Sequence, residues 1–218
     1  MIGGVFMYKI GFIDDDTTLI NDYIKRLKRK DIDLVFVKDC ITKNDVLKWI
    51  LENEIKCMLV DYKLTSMYNF NGTELVAFLN SEFPDLPCII LTNYCNQGIS
   101  ENLVIKNLFI EKENLDADFS SQEFEEMITC FKQAVNVFDN RLKLSVIEYE
   151  ILKKKKAKGT ISQEEEELFI SIVKILRAYN EVDDMPIELL TTNATKKMSD
   201  ILKSLDKLLN QIKFEFGG

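Results

Sequence analysis

The chain has no histidine in 218 residues. This excludes His-based nucleophile triads, His metal sites and a self-phosphorylated histidine on this chain. Proline and glycine are scarce (3 and 8 residues), while 46% of the chain is hydrophobic and 29% charged. That is the composition of a folded domain, not of a disordered or fibrous chain. Five cysteines (Cys40, Cys57, Cys88, Cys95, Cys130) are odd in number and show no CxxC spacing. They read as reduced thiols. No stretch approaches the roughly 20 apolar residues of a membrane span. The apolar opening lacks a basic leader, carries Lys9 in its middle and runs into Asp14-Asp15-Asp16, so it reads as a first strand and a cytoplasmic location is expected.

What is present is unevenly distributed. Residues 1–140 carry a net charge of −9, and residues 141–218 a net charge of +1 from 14 basic and 13 acidic side chains. Neither balance is a nucleic-acid footprint, and no DNA partner is expected. Two units are.

Apolar, β-branched runs at Tyr8–Ile13, Leu34–Val37, Cys57–Val60, Cys88–Leu91 and Leu108–Ile110 have the length of buried strands. Between them, Asp16–Leu27, Thr42–Glu54 and Gly72–Phe83 repeat apolar residues at helical spacing, and Ser100–Lys106 does so more poorly. Alternation of this kind predicts an α/β fold: a five-stranded parallel, doubly wound, flavodoxin-like sheet. After the fifth strand only helices are expected. Ser120 with Glu123 forms a capping-box pattern. An apolar stripe then runs from Phe124 to Leu152, predicting a helix of about 35 residues, or about 52 Å. Gly159 ends it, and Ser162 with Glu165 opens a second helix. A loop with Asp183, Asp184 and Pro186 leads to a third helical stripe from Met198 to Ile212. The expected organisation is a domain over 1–140 and an all-α extension over 141–218, joined by one long helix.

The predicted strands end in chemistry. Strand one runs into Asp14-Asp15, strand three into Asp61, strand four ends at Thr92 and strand five reaches Lys112. In a parallel sheet these ends share one edge. Three carboxylates there suit Mg²⁺, with a hydroxyl and an ammonium beside them for phosphoryl oxygens.

The motifs IGFIDDD (Ile10–Asp16), CMLVDYKL (Cys57–Leu64), Asn71-Gly72, CIILTN (Cys88–Asn93) and FIEK (Phe109–Lys112) succeed one another in order. The intervals are 46 residues from Asp15 to Asp61, 31 to Thr92 and 20 more to Lys112. Over about residues 7–140 this set resembles the receiver domain of bacterial two-component response regulators. The resemblance implies Asp61 as phospho-acceptor, with Asp14, Asp15, Asp61 and the backbone carbonyl of Lys63 as metal ligands. It implies Thr92 and Lys112 as partners of the phosphoryl group, and Phe109 as the rotating aromatic switch (or simply a strand aromatic). It further implies a histidine kinase or phosphotransfer protein as donor. The long apolar stripe from Phe124 to Leu152 points to an output through helical protein contacts, self-association included. The chain departs from the family in a longer Thr65–Asn71 segment, in Glu113 where a proline usually follows the lysine, and in a bulky Tyr94 beyond Thr92.

Two other readings use the same residues. A receiver that is not phosphorylated would serve as a docking module. Alternatively, Asp14-Asp15-Asp16-Thr17-Thr18-Leu19 matches the opening of haloacid-dehalogenase-like phosphatases, with Asp14 as nucleophile and Asp16 as general acid. The basic run Lys153–Lys156 reads as a solvated helix end.

Overall fold

A computed structural model describes residues 7–182. The predicted loop at Asp183–Pro186 and the stripe at Met198–Ile212 lie outside them. The chain divides into two compact units between Lys143 and Leu144.

In the first unit, β1 (Tyr8–Ile13), β2 (Ile32–Phe36), β3 (Met58–Val60), β4 (Cys88–Thr92) and β5 (Phe109–Glu111) form one sheet in the order β2-β1-β3-β4-β5. Every pairing is parallel, and the registers set Phe12 beside Leu59, Leu59 beside Ile89, and Leu91 beside Ile110. Parallel neighbours require crossovers, supplied by α1 (Ile20–Lys28), α2 (Lys43–Glu52), α3 (Gly72–Glu82) and α4 (Cys95–Ser100). The central strands are buried on both faces, which explains their unbroken apolar runs. This is the expected flavodoxin-like order.

Helix α5 (Gln122–Ala157) is 36 residues long. Its Phe124, Met127, Ile128, Phe131 and Val135 enter the core formed with Phe12, Leu59 and Leu91, and Phe138 meets Phe83 edge-on. Two local expectations are corrected. The weak helix after β4 lies at Cys95–Ser100, not Ser100–Lys106. The cap of α5 is Ser121, whose Oγ accepts from Phe124 N–H at 3.2 Å, because Ser120 is bonded to Asp118 instead.

The described part of the second unit, residues 144–182, is a helical hairpin. Gly159, in the left-handed region at φ 68°, closes α5 with Thr160 N–H bonded to Lys155 O and its own N–H to Lys156 O. The Ser162–Glu165 capping box then opens α6 (Gln163–Ala178) as expected. Tyr149 stacks on Phe169 at 5.5 Å between ring centroids, and Lys156 pairs with Glu166 at 3.1 Å. No helix among the described residues is long and apolar enough to cross a membrane. All five cysteines are free.

Candidate functional site

The registers carry Asp14 and Asp61 past the ends of adjacent strands, since Asp61 N–H continues the ladder by donating to Ile13 O at 2.9 Å. Both carboxylates are buried, at 1% and 6% exposure, and Thr92 is fully buried at the end of β4. Oxygens of Asp14, Asp15 and Asp61 all lie within 4.8 Å of one another.

Each carboxylate is held differently. Asp14 accepts from the Lys112 ammonium and, at 3.0 Å, from Asp16 N–H. Asp61 accepts from Lys63 N–H at 3.0 Å, and a hydrogen bond from the Thr92 hydroxyl lowers its proton affinity. Burial outweighs these partners. Together with the Asp14 charge, it raises the Asp61 pKa to about 6. Burial raises Asp14 as well, and the neighbouring Asp15 charge adds to the effect against the pull of Lys112. Buried, mutually repelling carboxylates such as Asp14 and Asp61 suit a hard divalent cation, whose charge relieves both burial and repulsion. The residues present fit such an ion.

The structure thus brings together Asp14, Asp15, Asp61, Thr92 and Lys112, and places Lys63 through its backbone N–H. The peptide bond between Lys112 and Glu113 is trans, and the ammonium still reaches the carboxylates. Phe109 lies one strand away, half-buried, its ring against the bare Cα of Gly98 in α4. Tyr94 is exposed, with the Lys63 ammonium 3.4 Å from its ring centroid. Asp16 turns outward. Its carboxylate accepts from Thr18 N–H (3.0 Å) and Thr18 Oγ1 (2.6 Å), which holds it below the usual carboxylate range.

Other residues join the site that sequence spacing does not reveal. The long Thr65–Asn71 segment delivers Ser66, whose Oγ donates to Asp15 Oδ2 at 2.6 Å, and buries Tyr68 and Phe70. Beyond Asp61, the Tyr62 hydroxyl donates to Glu101 at 2.7 Å, and Thr73 Oγ1 donates to the other oxygen of the same carboxylate. The Asn71-Gly72 pair has a steric origin. A Cβ on Gly72 would lie 2.0 Å from the Asp61 carbonyl oxygen, so only glycine lets α3 start this close to the strand-end loop.

Strand order and the gathering of these side chains at the carboxyl edge define the first unit as a flavodoxin-like α/β fold with an acidic cluster at its ligand-binding edge. Solved structures to which the chain is similar include receiver domains. The signal receiver domain of an HD domain-containing protein from Pseudomonas fluorescens Pf-5 is 15% identical, with 65% of this chain and 96% of that one covered at a TM-score of 0.48. A CheY-like response regulator receiver domain protein from Methanospirillum hungatei JF-1 is 20% identical (62% and 98% covered, TM-score 0.44). A response regulator receiver domain protein from Clostridium thermocellum is 17% identical (60% and 95%, TM-score 0.43). No family model and no curated protein matches the sequence.

Proposed function

We propose that the chain is a response regulator that accepts a phosphoryl group on Asp61. The reading is carried by one observation: three carboxylates from two strand ends, two of them buried, converge with a threonine and a lysine from the next two strands. The Asp61 carboxylate oxygen attacks the phosphorus of a phosphohistidine on a kinase or phosphotransfer protein. An acyl-phosphate P–O bond forms, and the donor's P–N bond breaks with its electron pair returning to the imidazole. A Mg²⁺ held by Asp14, Asp15, Asp61 and the Lys63 carbonyl would supply neutralising charge for the phosphoryl oxygens.

The chain's own residues do the rest. Lys63 N–H fixes the rotamer of Asp61. Thr92, already bonded to that carboxylate, is placed to donate to a phosphoryl oxygen. Lys112 is free to shift from Asp14 to the incoming dianion once a cation compensates Asp14. Movement of Thr92 makes room for Phe109, which changes how α4 and β5 meet a partner. The output is protein–protein contact through the helical extension.

The phosphatase alternative needs Asp16 as a proton-donating acid, yet its two Thr18 bonds favour the ionised form. A docking module without phosphorylation uses the same surface and leaves the buried carboxylate cluster without a role. One experiment separates the three. The full chain is incubated with Mg²⁺ and a small acyl-phosphate donor, and its mass is measured. A gain of about 80 Da that is lost in Asp61→Asn is expected. Turnover of a phosphate ester that depends on Asp14 would establish the phosphatase instead, and an unmodified, folded protein the docking module.

A further inference from the structure

The hairpin leaves one face of α5 uncovered. Leu144 (65% exposed), Ile147 (58%) and Ile151 (52%) recur at intervals of three and four residues. Leu168 of α6 is 42% exposed. It lies level with Ile151, because Tyr149 faces Phe169 and Lys155 faces Glu165 across the hairpin. Large apolar side chains so grouped mark a contact surface. The residues that pack α5 against α6 are others, Tyr149 and Leu152 among them.

We propose that this face pairs with the same face of a second copy, the two α5 helices running parallel. The spacing is that of a narrow two-helix seam, with Leu144 and Ile151 at a positions and Ile147 at d. Charge decides both occupant and direction. The flanking positions are Lys143 and Glu150 on one side of the seam, and Glu148 and Lys155 on the other. In a parallel pair, each residue of the first set faces the residue five places further along the partner helix. Lys143 therefore meets the partner's glutamate at 148, and Glu150 the partner's lysine at 155. Twofold symmetry repeats both, so four pairs of opposite charge frame the seam. In an antiparallel pair Glu148 would face its own copy, a like-charge contact. Lys143 and Glu148 are exposed and have no ion-pair partner among the described residues, whereas Glu150 and Lys155 already pair with Lys153 and Glu165. The Lys143–Glu148 pair is thus the contact that a second copy newly supplies.

The test uses the full chain in sedimentation equilibrium from low to high micromolar concentration. A monomer–dimer equilibrium is expected. Lys143→Glu and Glu148→Lys should each weaken it by at least about tenfold, since each places like charges across the seam twice. The double variant should regain association close to the parent chain. These positions are on the surface, and an unchanged circular dichroism spectrum shows each variant folded. Direction is read by oxidation: Leu144→Cys should link to itself above the background of the native thiols. Three results would overturn the proposal. They are a chain monomeric at every concentration (its own Met198–Ile212 segment covering the face, for example), a dimer indifferent to both single reversals, and preferential linkage of Leu144→Cys to Ile151→Cys.

Discussion

The Lys112 ammonium is bonded to Asp14, while the neighbouring Asp61 takes its hydrogen bonds from Lys63 N–H and Thr92. The lysine at the end of β5 therefore hydrogen-bonds the most deeply buried carboxylate of the cluster and acts on the proposed acceptor through its charge alone.

This arrangement sets the consequence of losing the lysine. Lys112→Ala strands an almost fully buried charge at Asp14, and removing one partner of such a pair costs about 3 kcal/mol. Urea unfolding in the presence of a chelator should show a loss of that order. Added Mg²⁺ should recover part of it, since a cation replaces the missing ammonium.

A second outcome concerns pH. With its folded pKa at about 6 against an ordinary 3.8, Asp61 binds its proton more tightly in the native state. The stabilisation it contributes is fully present below about pH 4 and is lost as pH rises through about 6. In chelator, the stability difference between the parent chain and Asp61→Asn should shift by about 2–3 kcal/mol across this window, in the variant's favour as pH rises. A difference that stays flat with pH would show that burial does not govern the site.

Tyr62 offers a spectroscopic check on the contact behind the site. Its bond to the Glu101 carboxylate, with burial, lifts the phenol to about 12. Glu101→Ala should bring one tyrosine back toward the ordinary value near 10 in an absorbance titration of the phenolate. Tyr23, raised to about 12 mainly by burial, should stay where it is.

A fourth outcome is steric. Gly72→Ala drives a methyl group into the Asp61 carbonyl, and the strand-end loop and the start of α3 cannot both keep their places. A destabilisation of about 3 kcal/mol, the upper range for overpacking, is expected by urea unfolding. Asn71→Ala, which removes only a helix cap, should cost about 1 kcal/mol.

Much of this site was legible because it is built from strand ends. An apolar run that stops at a carboxylate places that carboxylate on the sheet edge, whatever the loops do, and Asp14, Asp61, Thr92 and Lys112 all come from such ends. Ser66 and Glu101 were not legible. They reach the site from segments without periodicity, where only three-dimensional folding decides which side chains meet. The position of α4 was missed for a related reason. Cys95–Ser100 offers no apolar stripe, and it is held by Gly98 packing under Phe109. At α5, two serines compete for one cap, and Asp118 claims the first.

The most direct measurement is the location of the phosphoryl group. The chain, incubated with Mg²⁺ and a small acyl-phosphate donor, is reduced with borohydride, which converts an aspartyl phosphate to homoserine, and its peptides are sequenced by mass spectrometry. Conversion at position 61 alone is the expected result. Conversion at position 14, or at neither, would contradict the assignment of Asp61 as acceptor.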